Sequence, residues 1–389
     1  MISEFMFKGC VALREITFEA DSGSSLRAIE TDGFNGCVNL SRIVLPGSVE
    51  EVRPYAFRGC AALTSIRFAG SPALREVGPF MLAGCAALES FAPPDSVEAV
   101  RRNGFSECPN LREVVFGANS RLREVEGSSF SGCRSLRRLH LPRSVSSLLP
   151  GALHGCPGLA QIEIDENENY ETDGEAVVDR RRRELVGWPS ARGGVEVRSG
   201  IESVFSQAFK DLPITSISLN EVRKIGVSSF EGCSELKCIN LSMVRTIENR
   251  SFALCSNLVV AEFGEIEYLG DYSFLGVRQI PASIKFSKSL LYLGERIFEG
   301  LSEGFIRKRF IYCGNNEFTK DSFEVSPKGE NEKVDIKVIV KLSYGYDMFG
   351  GKAVTRMMND GCEIETEGFV SKDLPNLLEI SIASLIEEE

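Results

Sequence analysis

The most constraining feature of this 389-residue sequence is a cysteine that returns at a nearly constant interval. Seven cysteines stand at positions 10, 37, 60, 85, 108, 133 and 156, so the intervals between them run from 23 to 27 residues. Fixed periods of about 20 to 50 residues are typical of solenoids, in which each repeat buries its apolar side only against a neighbour. The chain is therefore expected to grow as one stack of coils, although its length alone would suggest roughly two or three compact domains.

Each recurring cysteine closes a short motif, Phe-x-Gly-Cys or a close variant. The clearest copies are Phe7–Cys10, Phe34–Cys37, Phe57–Cys60, Phe130–Cys133 and Phe230–Cys233. Variants in the same register begin at Leu82, Phe105, Leu153, Phe209, Phe252, Phe274 and Phe298, which makes twelve copies in all.

Two apolar patterns follow the motif and describe the course of one coil. Three residues after the cysteine, the pattern L-x-x-I-x-L, as in Leu40, Ile43 and Leu45, predicts a short strand with one face inward. A second apolar pair, such as Val49 and Val52, leads into the next motif. We therefore predict a β-rich repeat solenoid, right-handed and curved, with parallel sheets and about twelve coils.

One interval breaks the period, because 56 residues separate Cys156 from the equivalent Leu212. The additional residues, about 165–199, hold two short apolar runs around a polar segment, which predicts a hairpin that projects from the stack. Trp188, the only tryptophan, lies in this insertion and is expected to cap exposed core. The run Arg180–Arg183 could be a basic docking patch or a targeting signal, but the acidic residues around it favour a solvated hairpin tip.

The repeats divide the chain into two parts. Residues 1–301 are predicted to form the solenoid, and residues 302–389 a segment that caps its C-terminal end and finishes in an acidic tail. Within that segment, 334–340 is predicted to be a strand and 374–385 a strand or a short helix. The sequence begins within a repeat, so we expect a truncated product, a fragment or an end that a partner covers.

Charge and hydropathy exclude several classes of partner. The net charge of −11 and the isoelectric point near 5.1 argue against nucleic acid or an anionic membrane, because both attract a basic surface. No segment is long and apolar enough to cross a bilayer, and residues 1–10 lack the features of a secretory signal. We therefore expect a protein ligand and no membrane insertion.

The cysteines and histidines are expected to have structural roles and no catalytic or metal-binding role. Disulfides are conceivable, since stacked coils bring equivalent Cα atoms within about 5 Å. Leu212, Val277 and Leu301 occupy the cysteine slot in other coils, however, which favours a buried apolar plug and free thiols. His140 and His154 lie in different parts of a coil, so a zinc site is not expected. A Cys/His hydrolase is not expected either, because the cysteines are predicted to point into a packed core. We predict no catalytic residue, metal or cofactor.

The repeat unit resembles a known family. Leu40–Leu45, Pro46, Val49, Val52, Phe57 and Gly59–Cys60 are similar to the BspA-like leucine-rich repeats of bacterial and protist surface antigens. The resemblance extends over about residues 7–301 and implies a leucine-rich-repeat solenoid, surface display, adhesion to host or matrix proteins, and immune recognition. The absence of a recognised signal or anchor favours an intracellular scaffold instead.

The outward positions of the predicted strands are the remaining functional candidates. Successive L-x-x-I-x-L units align these positions in parallel columns, and solenoids use such concave surfaces for extended binding. We select six candidate protein-binding residues: Arg42, Arg67, Glu113, Arg138, His140 and Glu163. Polar residues that only keep the strands soluble explain each of them equally well. The sequence thus predicts a non-enzymatic protein-binding scaffold, either a surface adhesion antigen or an intracellular interaction scaffold.

Overall fold

A computed structural model describes residues 1–18, 26–281, 283–300, 307–318, 320–323, 335–340, 344–349 and 352–356. Within these residues the chain forms thirty strands, each of two to six residues, and no helix. The strands lie where the apolar patterns recur. The structure therefore confirms the predicted solenoid with parallel sheets and about twelve coils.

The bounds of the strands follow the repeat. In chain order they are β1 (Glu15–Ile16), β2 (Ala28–Ile29), β3 (Arg42–Leu45), β4 (Glu51–Val52), β5 (Ser65–Phe68), β6 (Glu76–Val77), β7 (Ser90–Phe91), β8 (Ala99–Val100), β9 (Glu113–Val115), β10 (Glu124–Val125), β11 (Arg138–Leu141), β12 (Ser147–Leu148), β13 (Gln161–Ile164), β14 (Tyr170–Thr172), β15 (Val177–Asp179), β16 (Glu184–Gly187), β17 (Gly193–Glu196), β18 (Ser203–Val204), β19 (Ile214–Ser218), β20 (Lys224–Ile225), β21 (Cys238–Leu241), β22 (Thr246–Ile247), β23 (Val259–Phe263), β24 (Tyr268–Leu269), β25 (Ser283–Phe286), β26 (Tyr292–Leu293), β27 (Arg307–Tyr312), β28 (Asp335–Val340), β29 (Met348–Phe349) and β30 (Lys352–Arg356).

The strands form two hydrogen-bonded ladders along the stack. The long-strand ladder contains the sheets β1–β3–β5, β7–β9–β11–β13, β17–β19–β21–β23 and β25–β27–β28–β30–β29. The short-strand ladder contains β2–β4, β6–β8–β10–β12 and β14–β15–β16–β18–β20–β22–β24–β26. Paired strands are parallel except in β14–β15, β15–β16 and β29–β30. Each regular coil therefore contributes one strand to each ladder, with the core between them.

One coil shows how the sequence pattern produces this geometry. Along β3, Ile43 and Leu45 are buried, whereas Arg42 and Val44 are exposed. The strand β4 contributes Val52 to the same core from the opposite side. Because side chains alternate along a strand, the apolar and polar positions of L-x-x-I-x-L separate onto the two faces of the sheet.

The Phe-x-Gly-Cys motif turns the chain from the short strand toward the next long strand. Its glycine has a left-handed backbone, as in Gly59 with a φ of 68°, which explains why glycine precedes the cysteine. The aromatic rings stack, with centroids 5.1 Å apart between Phe7 and Phe34 and 5.2 Å apart between Phe34 and Phe57. Such pairs contribute about 0.5–1.5 kcal/mol each beyond their burial. A second stack contains Phe209, Phe230, Phe252, Phe274 and Phe298.

Each buried motif cysteine bonds to the preceding coil. The Cys60 thiol donates to the carbonyl oxygen of Phe34 at 3.2 Å, and the Cys133 thiol donates to that of Phe105 at 3.0 Å. These thiols are free, so the prediction of buried thiols without a disulfide ladder is confirmed. Cys313, which lies outside the ladder, is disulfide-bonded. Burial raises the pKa of Cys60 to about 12, so this thiol stays protonated at neutral pH and is a poor nucleophile.

The buried side chains of the described residues form two cores. The N-terminal stack, residues 1–164, encloses a core that extends from Ile2 to Ile162. The C-terminal stack, residues 193–300, encloses a second core, which begins near Val195 and continues past Phe298. Between the stacks lie the antiparallel strands β14, β15 and β16, which we call the meander.

The meander is a wall between the two cores. Alternate side chains belong to different cores: Tyr170, Val177 and Val186 contact the N-terminal core, and Ala176, Val178 and Leu185 the C-terminal core. The strand β16 pairs in parallel with β18, so the meander continues the short-strand ladder. The predicted hairpin is present as antiparallel strands, but it does not project from the stack, because both of its faces bury apolar side chains.

Trp188 follows the meander directly. Its half-buried ring packs against the C-terminal core, with its centroid 6.5 Å from that of Phe209. Its indole N–H donates a hydrogen bond to the Glu175 carboxylate at 3.2 Å. Trp188 thus covers the end of the aromatic stack that begins at Phe209, as expected for a capping residue.

The long-strand ladder continues beyond residue 301. The strand β27 pairs in parallel with β25, and β28 pairs in parallel with β27. The bounds of β28, Asp335–Val340, agree with the strand predicted at 334–340. The predictions for 374–385 and for the acidic tail lie outside the described residues.

Candidate protein-binding face

We call the outward side chains of β1, β3, β5, β7, β9, β11 and β13, with those that directly continue these strands, the long-strand face. Strand register places Val44 opposite Arg67, and Arg42 diagonally across from Arg67 on the neighbouring strand. Arg42 and Arg67 are exposed, and neither makes an ion pair within the described part of the chain. These two predicted site residues therefore lie side by side, and neither guanidinium is within ion-pair distance of a described carboxylate, although Glu15 on β1 faces Arg42.

The other four predicted residues form a second group on β9, β11 and β13. Glu113 lies opposite Arg138, and His140 lies opposite Glu163. The Arg138 guanidinium contacts the Glu163 carboxylate at 2.9 Å, and this hydrogen bond raises the pKa of Arg138 and lowers that of Glu163. Both side chains are well exposed, so the pair contributes little to stability. Their charges are nevertheless already neutralised within the chain.

His140 connects neighbouring coils. Its Nδ1 lies 2.9 Å from the carbonyl oxygen of Phe116, and its Nε2 lies 3.0 Å from the Asp165 carboxylate. Only 18% of its side chain is exposed. The structure thus gives His140 internal hydrogen-bond partners on both ring nitrogens.

Selection by charge missed two apolar residues on the same face. Val44 is 46% exposed and Val115 is 38% exposed, although both belong to the L-x-x-I-x-L strands. The sequence feature that could have identified them is an apolar residue at an outward position of the L-x-x-I-x-L pattern. Between Val44 and Val115 lie Arg67 and the short side chains of Ser65, Ser90 and Ala92.

Charge is unevenly distributed along the chain. Residues 1–160 contain 17 Lys and Arg and 16 Asp and Glu side chains, whereas residues 161–389 contain 27 and 39. The net negative charge therefore lies entirely after residue 160. The long-strand face belongs to the nearly neutral, arginine-rich part of the chain.

The outward side of the short-strand ladder differs from the long-strand face because its charges are paired. Arg101 contacts the carboxylates of Glu76, Glu124 and Glu126 at 2.8, 2.9 and 2.9 Å. The hydrogen bond to Glu76 is the largest of the effects that raise the pKa of Arg101. Such a network leaves few free charges for a partner.

The four arginines at the tip of the meander are also paired. Their carboxylate partners are Glu171 for Arg180, Glu168 for Arg181, Asp179 for Arg182 and Glu202 for Arg183, at 3.3, 3.5, 3.9 and 2.6 Å. This arrangement supports a solvated hairpin tip over a basic docking patch.

In the described ranges, no group of three or more His, Cys, Asp or Glu side chains is arranged to hold a metal ion. The same ranges contain no helix of the length and apolarity that a membrane span requires.

Comparison with known proteins agrees with the coil geometry. The model of the BspA type leucine-rich repeat region, which holds six copies, matches residues 1–112, 99–175 and 194–326. The chain belongs to the BspA-type leucine-rich-repeat family. Membership makes the chain a repeat scaffold of a class associated with protein–protein interaction. No curated protein sequence matches it.

Solved structures that are similar to this chain have low sequence identity to it. The pneumococcal vaccine antigen PcpA is 18% identical, with a TM-score of 0.59 over 85% of this chain and 80% of that chain. A leucine-rich repeat protein from Bacteroides ovatus is 18% identical, with a TM-score of 0.43 over 88% and 92%. A leucine rich cell surface protein from Faecalibacterium prausnitzii is 17% identical, with a TM-score of 0.46 over 78% and 89%.

Proposed function

We propose that this chain is a non-enzymatic protein-binding scaffold that binds its partner through the long-strand face. The observation that carries the proposal is that exposed apolar side chains and charged side chains without an ion pair among the described residues lie together on the long-strand face. Arg42, Arg67 and Glu113 make no ion pair with described residues, and Val44 and Val115 are exposed beside them. Interfaces combine apolar and charged contacts of this kind on a preorganised surface.

The second group of predicted residues has a supporting role in this proposal. Arg138, His140 and Glu163 are held by internal hydrogen bonds, so they present a fixed polar border to the partner. Binding would then depend on many modest contacts with a few stronger ones near the centre of the face.

The binding face is tested with peptides selected from a random display library against the full chain. The variant Val44→Asp/Val115→Asp places charge on the long-strand face. The matched control, Leu149→Asp/Val227→Asp, changes side chains that are 38% and 39% exposed next to the short strands. We expect the first variant to weaken the selected peptides by about tenfold or more. Equal loss in both variants would count against this face.

We further propose that the scaffold is displayed at a cell surface, as the family resemblance implies and as the vaccine-antigen role in the name of PcpA suggests. The test is labelling of intact cells with a membrane-impermeant amine reagent, compared with labelling after lysis. Labelling of intact cells supports surface display. Labelling only after lysis would instead assign the chain to an intracellular interaction scaffold.

A further inference from the structure

We propose that the part of the long-strand face around β3 and β5 binds an acidic, extended segment of a partner protein, with carboxylates at Arg42 and Arg67. This inference rests on the proposed function and names the chemistry of its partner. Arg101 and Arg138 contact carboxylates of this chain. Arg42 and Arg67 make no ion pair within 4.0 Å with the described residues, although Glu15 on β1 lies opposite Arg42, so both guanidinium groups can accept a carboxylate from a partner.

The spacing of the two arginines fits an extended chain. Arg42 faces Ser65, and Arg67 is two residues beyond Ser65 on the same strand. Diagonal positions of this kind are about 7–8 Å apart. Side chains two residues apart in an extended peptide lie on one side and are separated by about 7 Å. A segment with acidic residues at positions i and i+2 therefore matches both guanidinium groups.

The surroundings of the arginines select for apolar residues in the same segment. Val44 is exposed on β3, directly opposite Arg67 and two residues from Arg42, and the short side chains of Ser90 and Ala92 follow on the next coil. An apolar side chain on the same side of the segment as its two acidic residues can therefore contact Val44. Guanidinium groups bind carboxylates through two parallel hydrogen bonds, which fixes the direction of the segment.

Charge also selects among possible partners. The chain as a whole carries a net charge of −11, so a long polyanion is repelled by most of its surface. A short acidic segment meets only the nearly neutral part of the chain, where Lys and Arg slightly outnumber Asp and Glu. The partner is therefore a protein with a local acidic strand or loop.

The test uses three fluorescent peptides and the full chain. The probe peptide is Gly-Ser-Glu-Ser-Glu-Ser-Val-Gly with blocked ends, in which both Glu residues and the Val lie on one side of the extended chain. The comparison peptides carry Gln or Lys in place of both Glu residues. We expect the Glu peptide to bind more tightly than the Gln peptide, and its binding to weaken with added salt. Absence of binding by the Glu peptide, or equal binding of all three peptides, would overturn the inference.

Protein variants assign the binding to the two arginines. Arg42→Gln/Arg67→Gln is compared with Arg121→Gln/Arg134→Gln, which removes the same charge from exposed turns of the same stack. We expect about a tenfold loss for the first pair and less than about a twofold loss for the control pair. Equal losses would indicate a general charge effect and overturn the inference. If Val44→Asp/Val115→Asp weakens the library-selected peptides while the arginine variant weakens none, the proposed function stands and this inference fails.

Discussion

The two stacks build the same coil with different side chains. In the N-terminal stack, six motif cysteines are buried, and Leu82 and Leu153 interrupt the aromatic stack. In the C-terminal stack, Cys233 and Cys255 are buried, and the aromatic stack runs without interruption from Phe209 to Phe298. The meander separates the two cores. Each stack is therefore stabilised by its own core. A substitution in one core should lower the stability of that stack and leave the other stack unchanged.

The largest effect is expected from loss of an aromatic ring. Phe230 is fully buried and stacks on Phe209 and Phe252 at 5.0 and 5.1 Å. Phe230→Ala should lower the free energy of unfolding of the C-terminal stack by about 3–5 kcal/mol. Hydrogen exchange followed by mass spectrometry should show faster exchange in 193–300 and unchanged exchange in 26–164. The matched variant Phe34→Ala should give the reverse pattern, and faster exchange in both stacks in either variant would break the comparison.

Alkaline pH should destabilise the N-terminal stack more than the C-terminal stack. Burial raises the pKa of Cys60, Cys108 and Cys156 to about 12, against about 8.5 for an unfolded thiol. The folded chain therefore binds more protons above about pH 8.5, and stability is lost as the pH rises from there toward about 12. The N-terminal stack holds four more buried motif thiols than the C-terminal stack, so its loss of stability between pH 8 and pH 10 should be the larger one.

Denaturant unfolding at pH 8 and pH 10, read separately for each stack by hydrogen exchange, measures this difference. Cys60→Val is the control, because valine occupies the equivalent slot at Val277. This variant should reduce the loss in the N-terminal stack alone. An equal alkaline loss in both stacks would show that the buried thiols are not its cause.

Two adjacent residues of the meander test more directly whether it separates the two cores. Val177 contacts the N-terminal core and Val178 the C-terminal core. Val177→Ala should destabilise the N-terminal stack by about 2 kcal/mol, and Val178→Ala the C-terminal stack by a similar amount. Thermal unfolding with stack-specific hydrogen exchange distinguishes them. If both variants affect the same stack, the meander is not a wall.

The smallest effect is expected at the motif glycines. Gly59 and Gly276 have φ values of 68° and 70°, and a Cβ atom at either position would meet no neighbour closer than 3.8 Å. Alanine at either position should therefore lower the free energy of unfolding by about 1 kcal/mol, which is the cost of holding a residue with a Cβ atom in the left-handed backbone conformation. The midpoint of denaturant unfolding should shift for the stack that carries the change. A much larger loss would reveal packing that the coil geometry does not account for.

Much of the fold could be predicted because the same pattern of apolar and polar positions recurs in many coils. Cys60, Val277 and Leu301 share one slot, which identifies that slot as buried and apolar without any further information. The placement of the meander was mispredicted because Val177 and Val178 form a continuous apolar run. Such a run indicates burial on both faces of a strand, but it does not say that a second core covers the other face.

The candidate site could be predicted only in part. The columns of outward residues followed from strand alternation, and strand register aligned Arg42 and Arg67 on neighbouring strands as expected. Strand alternation and register did not predict which side chains form ion pairs or hydrogen bonds. Arg138 could have contacted Glu113 or Glu163, and only the structure shows the contact with Glu163 at 2.9 Å. His140 bonds to Asp165, which lies beyond the end of β13 and outside the columns.

The central claim, that the long-strand face binds protein, is tested most directly by photo-cross-linking. A library-selected peptide that carries a benzophenone group is irradiated with the full chain, and the attachment sites are mapped by mass spectrometry. We predict attachment within 42–45, 65–68 and 113–115, which are β3, β5 and β9. Attachment concentrated around Leu149 and Val227, or at the tip of the meander, would contradict the claim.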